Sequence, residues 1–151
     1  MNKGFSFIEI LVVIAVSAII ILVMVAGFSS FYKSQTLNSA VSQTISFISQ
    51  ARSMTLSSEN ASQYSLHFET SRIVLFKGVS FVEPNSNNRE LVLPASVEIY
   101  DISLNGGGAD LIFKRLTGET DKYGEVFFRS KANPLKIKSI IIEPSGIIGA
   151  D

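Results

Sequence analysis

Three features of the amino-acid sequence predict an α+β fold. The N-terminal third reads as one helix of about 50 residues, its pattern changes from unbroken apolar to amphipathic midway, and short alternating segments separated by polar turns follow. The first half of this helix is predicted to be transmembrane and the second to pack on an antiparallel β-sheet domain.

No side chain between Glu9 and Lys33 is charged, and the interval is rich in Ile, Val, Leu and Ala, diluted by Ser17, Gly27, Ser29 and Ser30. A membrane-spanning helix needs roughly 20 mostly apolar residues to cross about 30 Å of hydrocarbon, so this run is long enough. Glu9 stands at its start. A carboxylate near the bilayer centre costs on the order of 3 kcal/mol, less at the interface. Glu9 is therefore either an interfacial acid of the first helical turn, where the helix dipole favours it, or a charge that needs a partner.

Beyond Thr36 the stripe Leu37, Ala40, Val41, Ile45, Ile48, Ala51 and Arg52 recurs at steps of three and four, widened by Phe47 and Met54. One helix is expected over 5–57, on the order of 75 Å long at 1.5 Å per residue. Gly27 lies inside it, at a cost of about 1 kcal/mol against Ala. Lys33 is expected to snorkel to the headgroups. Lys3 against Lys33 hardly sets an orientation by the positive-inside rule.

Ser57-Ser58-Glu59-Asn60 ends the helix. Residues 64–68 and 72–76 alternate around Glu69-Thr70-Ser71 and predict a hairpin. A further strand is expected at 79–82, before the loop Pro84-Asn85-Ser86-Asn87-Asn88, then strands at 90–93, 97–102, 110–114, 125–130 and 136–143. Residues 85–88 and 105–109 look like local insertions. The spacing suggests an antiparallel, meander-rich sheet system.

At 151 residues the chain has room for the spanning segment and one domain. Lys plus Arg and Asp plus Glu number 13 each, so no whole-chain field selects nucleic acid or an anionic membrane. The absence of cysteine excludes disulfides, thiol catalysis and cysteine-ligated zinc. A secretory signal peptide would have a shorter apolar centre and a small-residue cleavage site after it; no such site precedes Phe28.

Lys3-Gly4-Phe5-Ser6-Phe7-Ile8-Glu9 and its apolar continuation resemble the class III signal of type IV pilins and the pseudopilins of type II secretion. The resemblance implies cleavage by a prepilin peptidase between Gly4 and Phe5, N-methylation of Phe5, and a subunit-assembly charge at Glu9. It supplies Glu9 with a partner, the N-terminal amine of a neighbouring subunit, which is protonated at neutral pH because its ordinary pKa is roughly 8. Three parts are then expected: a leader at 1–4, a transmembrane and assembly helix at 5–32, and a globular domain at 33–151 made of the amphipathic helix 33–57 and β-sheet at 64–148. Where family members often carry a proline in the spanning half, this chain has Ala26-Gly27. Ser49-Gln50-Ala51-Arg52-Ser53, Leu93-Pro94-Ala95-Ser96-Val97, Leu111-Ile112-Phe113 with Thr117-Gly118, and Ile140-Ile141-Ile142 to Ser145-Gly146-Ile147-Ile148 are similar to the H-type minor pseudopilins and related minor pilins.

Little in the sequence suggests an enzyme, a cofactor or a metal. His67 is the only histidine and lies in a predicted strand, which favours a structural role. Gly106-Gly107-Gly108 lacks the lysine and strand-to-helix setting of a phosphate loop and reads as a turn. Glu119, Asp121 and Glu125 crowd one region, but their spacing is not that of an EF-hand and Lys122 intervenes, so a solvated hairpin is favoured over calcium. Asn60-Ala61-Ser62 has the form of a glycosylation sequon, a pattern close to chance in a bacterial chain. Seven basic residues between Lys114 and Lys138 face three acids, which raises DNA binding by a transformation pilin as the alternative; strand alternation should split them over two faces, so nucleic acid is not the expected partner.

The resemblance thus implies a minor pilin or pseudopilin. Its partners would be a prepilin peptidase, other pilin or pseudopilin subunits, an inner-membrane assembly platform and, before assembly, membrane lipid. It would sit in the bacterial inner membrane as a single-pass protein with a cytoplasmic N-terminus, then join a pilus or pseudopilus with the globular domain exported.

Overall fold

The computed structural model describes residues 6–151, with side chains at 6–24 and 34–151. The expectations placed on Lys3, Gly4 and Phe5, on the side chain of Lys33 and on the surroundings of Gly27 lie outside the described residues. Two compact units divide the chain, Met1–Lys33 and Ser34–Asp151. The helix α1 (Phe7–Leu56) supplies the described part of the first and opens the second.

In the first unit, Phe7–Met24 has a mean hydropathy of 3.1, and none of it is buried. By length and composition it can cross a membrane. Its Ile, Val, Leu and Phe side chains point outward all round the helix, as they would on a helix surrounded by lipid or by other apolar helices.

In the second unit the fold is α+β. The buried seam of α1 consists of Leu37, Val41, Thr44, Ile48, Ala51 and Thr55, at alternating steps of four and three, with Ala40 buried beside Val41. The apolar stripe predicts most of it; Thr44 and Thr55 are additions. Both can be buried because their hydroxyls are satisfied: each Oγ1 lies 2.9 Å from a carbonyl one turn back, of Ala40 and Ala51 respectively. Thr55 Oγ1 also accepts the backbone N–H of Tyr64 at 2.9 Å, fastening the helix end to the first strand.

After α1 comes a single 3-10 turn (Glu59–Ala61) and then eight strands: β1 (Tyr64–Phe68), β2 (Arg72–Lys77), β3 (Arg89–Val92), β4 (Val97–Leu104), β5 (Asp110–Ile112), β6 (Gly124–Ser130), β7 (Asn133–Ile142) and β8 (Ile148–Ala150). They form two antiparallel four-stranded sheets, ordered β3-β2-β1-β5 and β4-β6-β7-β8. The predicted hairpin is β1–β2, with Phe68 opposite Ile73 and Glu69 N–H donating to Arg72 O at 2.9 Å. Its tip also joins the sheets, because Thr70 O accepts the N–H of Ile99 at 3.0 Å.

Two expectations need correction. Residues 79–82 form no strand: Gly78 takes a φ of +104°, and Val79 and Val82 are exposed. The segment instead lays Phe81 on the outer face of β1 and β2, stacked on His67 at 4.1 Å and tilted against Phe76 at 5.6 Å. The strand β8 was absent from the predicted set; three residues between turn and terminus are too few to show a period.

One core joins both sheets to α1. Leu37, Val41, Ile48 and Ala51 meet Leu66, Phe68, Ile73, Leu75 and Leu111 of the first sheet and Ile99, Val126, Phe128, Ile140 and Ile142 of the second. The first sheet is covered on both faces, so Ser65, Val74 and Phe76 are buried beside the inward residues. The second sheet is covered on one face; along β6, Val126, Phe128 and Ser130 are buried while Phe127 and Arg129 are not.

Candidate functional site

Glu9 lies in the first turn of α1. Its backbone N–H donates to Ser6 O at 3.0 Å, and the N–H of Ile10 reaches the same oxygen at 3.3 Å. Ser6-Phe7-Ile8-Glu9 thus starts the helix, with the serine-to-glutamate spacing of a capping box. Glu9 is exposed, and it makes no ion pair or side-chain hydrogen bond among the described residues. Glu9, Ile10, Val13 and Ile14 line a shallow surface groove of about 270 Å³ whose other lining is apolar. Among the described side chains at 6–24, Glu9 is therefore an unpaired acid on a stretch of helix that is otherwise uncharged, exposed and mostly apolar.

The other candidates fall elsewhere, into structural settings. His67 on β1 stands opposite Asp110 on β5, with Nδ1 and Oδ1 2.6 Å apart, and its ring stacks on Phe81. Asp121 pairs with Lys114 at 2.7 Å, while Glu125 takes its place in β6 opposite Ser103 and Ile141. No group of three His, Asp or Glu side chains is arranged to hold a metal among the described residues. Gly106, Gly107 and Gly108 all have positive φ and make the tight turn from β4 toward β5. Lys122 Nζ caps it by donating to Gly107 O at 3.0 Å.

Four of the seven residues of the basic stretch are engaged. Besides Lys114 and Lys122, Arg129 pairs with Glu98 at 2.6 Å and lies over the Tyr100 ring, and Lys138 Nζ donates to Asp151 O at 3.0 Å. Arg52, part of the helical stripe, proves to be a bolt: its Nε donates to Gly118 O at 3.0 Å and Nη2 to Ser145 O at 3.2 Å, drawing two turns onto the helix. The hub that sequence reasoning missed is Arg72. Its guanidinium donates to Glu69, Glu83 and Glu90 at 2.7–3.1 Å, tying the hairpin, the 78–88 segment and β3 together. No local period could show this, because the three acids are distributed over separate elements.

A family model described as a prokaryotic N-terminal methylation motif matches residues 1–25. Neither the comparison with curated proteins nor that with solved structures gives a match. The match covers the leader region and the start of α1, where Glu9 lies. It identifies a type IV pilin-like prepilin signal, and with it a prepilin substrate. Such a signal implies processing by a prepilin peptidase and assembly with other pilins. It points to a structural subunit, and the apolar helix that follows it is consistent with a membrane anchor.

Proposed function

We propose that this chain is a non-enzymatic minor pilin or pseudopilin, of the H-type or a related minor subgroup, assembled into a type IV pilus or a type II secretion pseudopilus. The observation that carries this reading is the unpaired Glu9 on an exposed apolar helix that lies within a methylation motif. In this reading prepilin peptidase cuts between Gly4 and Phe5, and Phe5 is N-methylated. The mature chain begins at Phe5, and its apolar helix spans the inner membrane, with the N-terminus cytoplasmic and the domain from residue 33 exported.

The physical argument concerns two surfaces that lack partners in one chain. An exposed apolar helix of this length is stable in lipid or against similar helices, since apolar area in water is penalised by about 25 cal/mol per Å². Once helices replace lipid, a lone carboxylate among them is costly; paired with a protonated amine and fully hydrogen-bonded, it becomes tolerable. The Phe5 amine of an adjacent subunit meets that need and sets the axial register between subunits. The assembly platform would extract the chain from lipid and add it to the filament.

Mass spectrometry of the chain co-expressed with a prepilin peptidase tests the reading. A mature protein starting at methylated Phe5 is expected, and Gly4→Ala should block the cut. Glu9→Ala should still be cleaved yet fail to enter filaments. An intact Met1 start alongside an active peptidase would refute the proposal.

A further inference from the structure

A second feature lies in the other unit, at the corner of the first sheet just past the end of α1. Lys77 stands directly opposite Tyr64 on β1, and Arg89 directly opposite Leu75 on β2. Strand alternation puts both cations on the face that carries Leu66, Leu75 and Leu91, which is the core face. That position ordinarily calls for apolar side chains. Here α1 stops at Leu56, so the corner stays open as a hollow of about 240 Å³ lined by Met54, Glu59, Asn60, Tyr64, Lys77 and Arg89, with Asn87 at its edge.

Neither the Lys77 nor the Arg89 side chain has a hydrogen-bond or ion-pair partner among the described residues. Arg52, Arg72, Lys114, Lys122, Arg129 and Lys138 are engaged while Arg115, Lys131 and Lys136 are not; what sets Lys77 and Arg89 apart is that both line one hollow. Donors surround them. Asn60 Nδ2 points at the Tyr64 hydroxyl at 3.3 Å, and Asn87 contributes a second amide. Glu59 is the one acid of the lining, leaving an excess of positive charge. The segment that brings Glu59 and Asn60 to the hollow is strained: Ser58, Asn60 and Ala61 have φ of 49°, 52° and 53°, a left-handed conformation that side chains with a Cβ adopt reluctantly. Such strain persists where the surrounding structure demands it and concentrates at binding sites.

We propose that this corner is a binding site for a single oxyanion, a carboxylate or a phosphate. Arg89 offers a planar fork suited to two oxygens, Lys77 a point charge, and the Asn60 and Asn87 amides and the Tyr64 hydroxyl neutral donors. The site is independent of the filament reading, since it uses no residue of the first unit.

The test is NMR of the full-length 15N-labelled chain in detergent micelles, titrated separately with inorganic phosphate and with an N-acetylated diglutamate peptide. The side-chain amides of Asn60 and Asn87 should shift saturably. The double variant Lys77→Gln, Arg89→Gln should weaken the response by at least about tenfold. Lys131→Gln with Lys136→Gln, which removes the same charge elsewhere, should leave it intact. Saturation at lower phosphate concentration assigns a phosphate group, and at lower peptide concentration a protein carboxylate; either upholds the site. The exchanged variant Lys77→Arg, Arg89→Lys checks that a loss reflects charge rather than folding, by retaining saturable binding. A non-saturating drift in the unaltered chain, or an equal loss in the Lys131 and Lys136 control, would overturn the proposal.

Discussion

Glu69 and Gly124 show how single residues hold the second unit together. The hydrogen bonds from Arg72 hold the Glu69 carboxyl below its ordinary range, against the smaller opposing effect of burial. A carboxyl whose folded-state pKa is depressed contributes stability above its unfolded value, about 4.3, and loses that contribution as pH falls through the folded value. The stability gap between the unaltered chain and Glu69→Gln, measured by denaturant unfolding in micelles, should therefore be full at neutral pH and close as pH is lowered below about 4. Gly124 has a φ of +145°, and a Cβ there would strike the Ser103 carbonyl oxygen and lie 3.0 Å from Leu104 Cα. Both obstacles are backbone, so neither can rotate away. Gly124→Ala should cost more than about 2 kcal/mol by the same unfolding measurement. Gly107→Ala, at φ +66° with nothing within 4 Å, should cost only the left-handed strain of about 1–2 kcal/mol. Neither glycine's neighbours are visible in the sequence, where Gly107 reads only as part of a turn.

At the scale of elements, α1 was the most legible and the 78–88 segment the least. Steps of three and four mark the buried seam of a helix without knowledge of what it meets, and Leu37, Val41, Ile48 and Ala51 are buried as the period requires. Residues 79–82 mislead because Val79, Phe81 and Val82 have strand-forming side chains, yet Gly78 turns the chain away and Phe81 becomes a lid over β1 and β2. That lid covers Phe76 on the outer face while Leu75 is buried on the core face, so β2 is buried on both sides, which no alternating pattern foretells. Phe81→Ala should expose this face, costing about 2 kcal/mol. Amide hydrogen exchange should accelerate across 78–88 and in β2 while β6 and β7 stay protected. Unchanged exchange in β2 would show that the ring is not what covers it.

At the scale of the whole molecule, the sequence alone determined the features that local chemistry writes out: a charge-free apolar run, the amphipathic continuation, the positions of most strands, and the methylation motif at the N-terminus. The first three depend on residues three, four or two apart, which helix and strand geometry settles, whereas the motif rests on the resemblance of residues 3–9 to a prepilin signal. Glu9 was legible as a lone acid at the start of an apolar run, while its candidate role as an assembly charge came from the resemblance to type IV pilins. Only the tertiary structure decided that the strands part into two sheets, that β1 takes β5 as a neighbour, that Arg72 gathers three acids and that Lys77 and Arg89 share one hollow. Those pairings join residues far apart in the chain. They are chosen by the burial of a common core around Phe68, Phe113 and Phe128, a collective free energy that no short stretch of sequence contains.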